Sequence, residues 1–300
     1  MADFRVQTGL CFGAFYNTRM NQPATSMSFI DMLASAEGRN RSMLCVGLDP
    51  EPARFPGKFK NNANRIFDFC AAIVDATADL VIAFKPQIAY FAAHRAEEQL
   101  ERLIRHMHQA APLLPVILDA KRGDIGNTAE QYAIESFERY GADAVTLSPF
   151  MGFDSVAPYL KRHGKGAFLL CRTSNPGGDD FQNLRLTSIE GQPLLYEHIA
   201  RLAQGPWNLN GQLGLVVGAT YPAEIERVRA LAPTLPLLIP GVGAQGGDAV
   251  ATVKAGWRSG APIVVNSSRA ILYASAKDDF ADAARREAIS TRDLLQAARP

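Results

Sequence analysis

Asp119 and Lys121 stand two residues apart directly after the apolar run at residues 115–118, and Asp124 follows on a glycine-flanked stretch. Side chains two apart on an extended strand share a face, so the order predicts a carboxylate and an ammonium entering one site together. Either charge is costly to bury alone, so a strand ending in both signs needs partners or a chemical purpose. Lys85, closing another apolar run in Ala-Phe-Lys-Pro-Gln, offers a second ammonium. By itself it could simply carry its charge to water along its methylene stem. Beside Asp119 and Lys121 it instead completes an alternating Lys, Asp, Lys, Asp array whose members satisfy one another, with Asp124 arriving from its own chain or from a partner subunit. A lysine held protonated by flanking carboxylates suits stabilisation of negative charge and donation of a proton. A Schiff-base lysine would need the opposite surroundings.

The elements that must position these groups repeat along the chain. Short apolar runs occupy residues 43–48, 81–84, 115–118, 144–147, 167–170, 213–217, 235–239 and 262–265, and amphipathic helical sequence fills most intervals, as at 63–78, 92–108, 128–140 and 223–230. Eight βα units in about 250 residues predict an α/β fold, a (β/α)8 TIM barrel, over a single domain at residues 27–300. Such a barrel gathers its chemistry at the C-terminal ends of its strands. Those ends carry Asp49, Lys85, Asp119 with Lys121, Thr173 with Ser174, Gly241 with Gly243, and Asn266 with Arg269. Asp49, followed by Pro-Glu-Pro, also fits a helix cap or turn. The longest connection, about residues 175–212, begins Asn-Pro-Gly-Gly-Asp-Asp, and its first part is expected to cover the mouth.

Pro240-Gly-Val-Gly-Ala-Gln-Gly-Gly contains G-x-G-x-x-G. The motif falls in the seventh βα unit rather than the first, and Asn266 stands where a ribose-binding acid would be needed, so a dinucleotide site is disfavoured. Loops after strands 7 and 8 of a barrel commonly hold a phosphate, and Arg269 adds a fork for it. The five histidines fall on helical or polar stretches and read as solvated surface; no Ser-His-Asp arrangement or H-E-x-x-H motif appears, which disfavours a hydrolase.

Composition bounds the rest. A net charge of +1, from 31 basic and 30 acidic residues, gives no general attraction to nucleic acid or an anionic membrane. No run of about 18 apolar residues could span a bilayer. Cys11, Cys45, Cys70 and Cys171 lack C-x-x-C spacing, which predicts buried thiols of a reducing compartment rather than a zinc site. Residues 1–26 contain no continuous apolar segment of a secretory signal; Met27 precedes the first helix-like stretch, and 1–26 is expected to be a disordered extension.

Asp119-Ala-Lys121-Arg-Gly-Asp124-Ile-Gly-Asn-Thr128 closely resembles the signature of the orotidine 5'-phosphate decarboxylases. Gly47-Leu-Asp49-Pro, Phe84-Lys85-Pro, Ser174-Asn-Pro-Gly, the Pro240 to Gly247 loop and Arg269 follow in the family's order, and the resemblance spans about residues 29–285. The long strand 5 to strand 6 connection is similar to the bacterial type 2 branch. The resemblance implies a cytoplasmic enzyme of de novo pyrimidine synthesis that converts orotidine 5'-monophosphate to uridine 5'-monophosphate and carbon dioxide, with no metal and no organic cofactor. It implies that Lys121 protonates C6, that Asp119 faces the substrate carboxylate, and that Lys85 holds Asp119 and a ribose hydroxyl. It further implies a homodimer in which Asp124, Ile125 and Thr128 complete the partner's site. Asp49 would bind ribose, Ser174 the pyrimidine edge, and Gln245 with Arg269 the phosphate. The alternatives are a sister sugar-phosphate decarboxylase using magnesium, disfavoured by Lys85 where an extra carboxylate would stand, and a non-catalytic nucleotide-binding barrel or assembly scaffold.

Overall fold

The computed structural model describes residues 27–242 and 247–300; the expected extension at 1–26 and Gln245 lie outside the described residues. Strands β1 (Leu44–Leu48), β2 (Ala83–Pro86), β3 (Ile117–Arg122), β4 (Ala144–Leu147), β5 (Gly166–Arg172), β6 (Leu213–Val217), β7 (Leu237–Pro240) and β8 (Ile263–Ser267) pair in parallel in the order β2-β1-β8-β7-β6-β5-β4-β3. Two isolated parallel bridges, Phe84 to Val116 and Gln87 to Asp119, bring β2 against β3. The sheet is thereby a nearly closed barrel, the fold that the spacing of apolar runs predicts. Most of these strands are buried along their whole length, which explains why they read as continuous apolar runs rather than as alternating ones.

The helices are α1 (Phe29–Asn40), α2 (Ile66–Thr77), α3 (Ile88–Ala92), α4 (Glu97–Ala110), α5 (Gly126–Ile134), α6 (Ala157–Leu160), α7 (Leu195–Gln204), α8 (Pro222–Leu231), α9 (Ala249–Gly256), α10 (Arg269–Leu272) and α11 (Phe280–Ala297). The helix expected over 92–108 begins only at Glu97, as α4, because Arg95 takes a left-handed φ of 52° between α3 and α4. Helix α1, capped by the Ser28 side chain, covers the N-terminal end of the barrel: Phe29 meets Phe168 edge-on at 5.6 Å. A Cβ on Gly166, at the start of β5, would lie 2.2 Å from the Phe29 ring, so only glycine admits that plug. At the opposite end several strands continue past their apolar runs into polar residues, β3 to Arg122, β5 to Arg172 and β8 to Ser267.

Candidate active site

A cavity of about 720 Å³ opens where those polar strand ends converge. Its floor is an ion array. Lys85 Nζ donates to Asp119 Oδ2 at 2.7 Å, and Lys121 Nζ donates to Asp119 Oδ1 at 2.6 Å. Lys85 is 4% exposed and Asp119 7%, whereas the Lys121 side chain is 47% exposed, so Lys121 is the ammonium presented to the cavity. Burial alone would lower the Lys85 pKa, but the carboxylates of Asp119 and Asp49 outweigh it and raise it. Burial would likewise raise Asp119, but Lys85 and Lys121 hold it well below the usual carboxylate range. Lys85 and Asp119 are therefore both charged throughout the neutral range.

Pleat alternation is not what joins Asp119 to Lys121. Lys121 has a left-handed φ of 46°, and β3 bulges there: Leu118 pairs with Val145 and Arg122 with Leu147, so the strands are out of step between them.

Around the array, the cavity wall carries unmet hydrogen-bonding capacity. Asp49 Oδ1 and Asn266 Oδ1 are buried acceptors without a partner, the condition of atoms that await a donor. Asp49 is held by its backbone rather than used as a cap: its carbonyl accepts from the Tyr273 hydroxyl at 3.0 Å, which in turn accepts from the Glu51 N–H at 2.7 Å. Ser174 lines the cavity beside Gly218, where an added Cβ would come within 2.7 Å of Ser174. The exposed Arg269 lines the rim at the start of α10, with Gly241 and Val242 of the glycine loop nearby.

Asp124, Ile125 and Thr128 do not line this cavity. Asp124 accepts from the Ile125 N–H at 2.8 Å and, among the described residues, forms no ion pair with Lys121. Ile125 is 52% exposed, and on the loop after neighbouring β4 Phe150 is 82% exposed.

The β5–α7 connection reaches the cavity through Asn175 and Gln182, as its expected place at the mouth requires. It is tied down by Arg172, almost fully buried, which donates to Asp179 at 2.6 Å, to Gln182 at 3.3 Å and to Glu224 at 2.7 Å. Sequence reading did not find Arg172, Gln182, Tyr90 or Thr146; for Arg172 and Thr146 the partners Glu224 and Asp119 are distant in the chain.

Comparison with known proteins decides the family. Residues 42–285 match the model of the Orotidine 5'-phosphate decarboxylase / HUMPS family. The chain belongs to the orotidine 5'-phosphate decarboxylase family. Within it, the chain is 85% identical over 273 residues to the orotidine 5'-phosphate decarboxylase of Polaromonas naphthalenivorans, covering 91% of this chain and 97% of that one. Among solved structures, Leishmania donovani OMP decarboxylase superposes with a TM-score of 0.77 at 39% identity, over 91% of this chain and 98% of that one. Leishmania donovani UMP synthase gives 0.78 at 40% identity over 90% of this chain, which spans 57% of that protein. Asp119-Ala-Lys121-Arg-Gly-Asp124, on which the resemblance rests, forms the β3 bulge and the loop that follows it.

Proposed function

We propose that this chain decarboxylates orotidine 5'-monophosphate to uridine 5'-monophosphate, in the cytoplasm, as a step of pyrimidine synthesis and without metal or organic cofactor. The observation that carries this reading is Lys121, open to the cavity and hydrogen-bonded to an Asp119 that stays anionic. In the proposed reaction the bond from C6 to the carboxylate breaks, its electron pair remains on C6, and carbon dioxide leaves. The Lys121 ammonium beside that carbon stabilises the charge as it forms and passes one proton to C6, to be reprotonated from water. Asp119 faces the departing carboxylate and keeps Lys121 aligned, and Lys85 keeps Asp119 ionised. The unmet acceptor of Asp49 suits a ribose hydroxyl donor, and Ser174 takes the pyrimidine edge. Arg269 and Gln245 hold the phosphate, whose remote binding energy offsets the cost of setting two carboxylates together.

The same reading makes the enzyme a homodimer. Asp124 accepts from the Ile125 N–H and, among the described residues, forms no ion pair with Lys121, and the apolar side chains of Ile125, Phe150 and Met151 stand exposed on the loops after β3 and β4, a surface that suits a second copy. Free buried thiols at Cys45, Cys70 and Cys171, with burial pushing Cys45 up to about 12, fit a reducing compartment.

The deciding experiment follows the ultraviolet absorbance of orotidine 5'-monophosphate on adding protein dialysed against EDTA. Loss of absorbance without added metal is expected. No turnover, followed by activity on a sugar phosphate once magnesium is restored, would overturn the reading.

A further inference from the structure

We infer that Thr146, in β4, is a positioning residue that sets the mutual geometry of Asp119 and Lys121; the inference rests on the decarboxylation reading above. Thr146 is 1% exposed and touches no open part of the cavity, yet its hydroxyl makes three hydrogen bonds to the two reacting residues and the one between them. The N–H of Ala120 lies 3.1 Å from Thr146 Oγ1, the N–H of Lys121 2.9 Å, and Asp119 Oδ1 2.9 Å.

Valence fixes the direction of each bond. A hydroxyl offers one proton and two lone pairs, and a backbone N–H can only donate. The two lone pairs are therefore filled by Ala120 and Lys121, and the single proton is left for Asp119 Oδ1. That oxygen also receives the Lys121 ammonium at 2.6 Å, while Lys85 holds Oδ2 at 2.7 Å. Thr146 thus supplies the third donor that locks the carboxylate, and does so from a group whose own rotation is fixed.

The same hydroxyl sustains the bulge. Between Leu118 and Arg122 the strands β3 and β4 are out of register, and the N–H groups of Ala120 and Lys121 turn to a side chain. Lys121 consequently holds a left-handed φ of 46°, a region that side-chain-bearing residues seldom occupy and that usually marks a built feature of a site. One hydroxyl therefore couples the lysine's backbone to the aspartate's side chain. A plain strand-forming threonine would need none of this.

The test compares Thr146→Val, which keeps the shape and removes the hydroxyl, with Thr146→Ser, which keeps the hydroxyl. Misplacing a reacting group by a fraction of an ångström to an ångström costs up to about 100-fold. For Thr146→Val we expect kcat to fall by about 100-fold, with KM for orotidine 5'-monophosphate within about threefold of the wild type, and Thr146→Ser to recover to within about threefold. If Thr146→Val proves unfolded by circular dichroism, Thr146→Cys, with a weak donor of similar size, is read against Thr146→Ser in the same way. A kcat for the variant lacking the hydroxyl within about twofold of wild type, a loss confined to KM, or equal losses in the valine and serine variants would each overturn the inference. A wild-type protein that does not turn over orotidine 5'-monophosphate would instead overturn the decarboxylation reading, so the two failures are distinguishable.

Discussion

Asp119 and Asp143 are both buried carboxylates held by basic side chains, one near the C-terminal end of β3 and the other immediately before β4 at the opposite face. Asp143 accepts from the Val116 N–H at 3.0 Å and from Lys165 at 3.1 Å, and pairs with His108 at 2.9 Å. Burial pushes its pKa up, but His108 and Lys165 outweigh it and hold it low, as the lysines do for Asp119. Neither burial, pairing nor pKa separates the two. A hollow does not either, since one of about 480 Å³ adjoins Asp143. What differs is the demand left over. The wall around Asp119 holds the unmet acceptors of Asp49 and Asn266, whereas no described residue lining the Asp143 hollow holds an unpartnered buried side-chain atom. The open acceptors beside Asp119 leave room for the ligand proposed above, whereas the completed surroundings of Asp143 fit a strut, as expected for the N-terminal face of a barrel.

This contrast can be broken by mutation. Lys121→Ala should lower kcat by about 1,000-fold or more while uridine 5'-monophosphate still binds, measured by steady-state kinetics and calorimetry; near-wild-type turnover would make the Asp119 cluster a strut as well. Asp143→Asn should do the reverse, leaving kcat/KM within about threefold but costing about 1–2 kcal/mol in urea unfolding, the partly exposed Lys165 and His108 tempering the loss. Its pH dependence sharpens the point. Because the folded pKa of Asp143 lies below its unfolded value of about 3.9, its stabilisation is complete above that value and is lost as pH falls toward the folded one. The wild type should therefore lose more stability than Asp143→Asn when taken from neutral pH to below about 4. The smallest effect is expected at the rim: Arg269→Ala should raise KM about tenfold with kcat little changed. Equal affinity of the wild type for uridine and its monophosphate would remove Arg269 from phosphate binding.

Much of this was legible in the chain because a charge that closes an apolar run is conspicuous: Asp49, Lys85, Asp119 and Lys121 all announce the cavity that way. The barrel was legible for the same reason, since strands buried on both faces leave uninterrupted apolar runs. Thr146 was hidden because a threonine inside Ala-Val-Thr-Leu is an ordinary strand former, and nothing local reveals a bulge on the neighbouring strand. Arg172 was hidden because Glu224 lies 52 residues away. His106 and His108, expected as solvated surface, are half-buried and pair with Asp75 and Asp143, contacts that helical position alone does not disclose.

The two bridges that close the barrel between β2 and β3 give the Lys85–Asp119 pair a second meaning. Every other neighbouring pair of strands in the sheet order shares a ladder, two of them interrupted by a bulge, so this junction is the seam of the cylinder, and the ion pair lies across it. The cavity floor and the closure of the cylinder thus share one ion pair. Replacing Lys85 or Asp119 would therefore remove a charge from the cavity floor and, by the same change, a contact across the line where the cylinder is joined by two bridges alone.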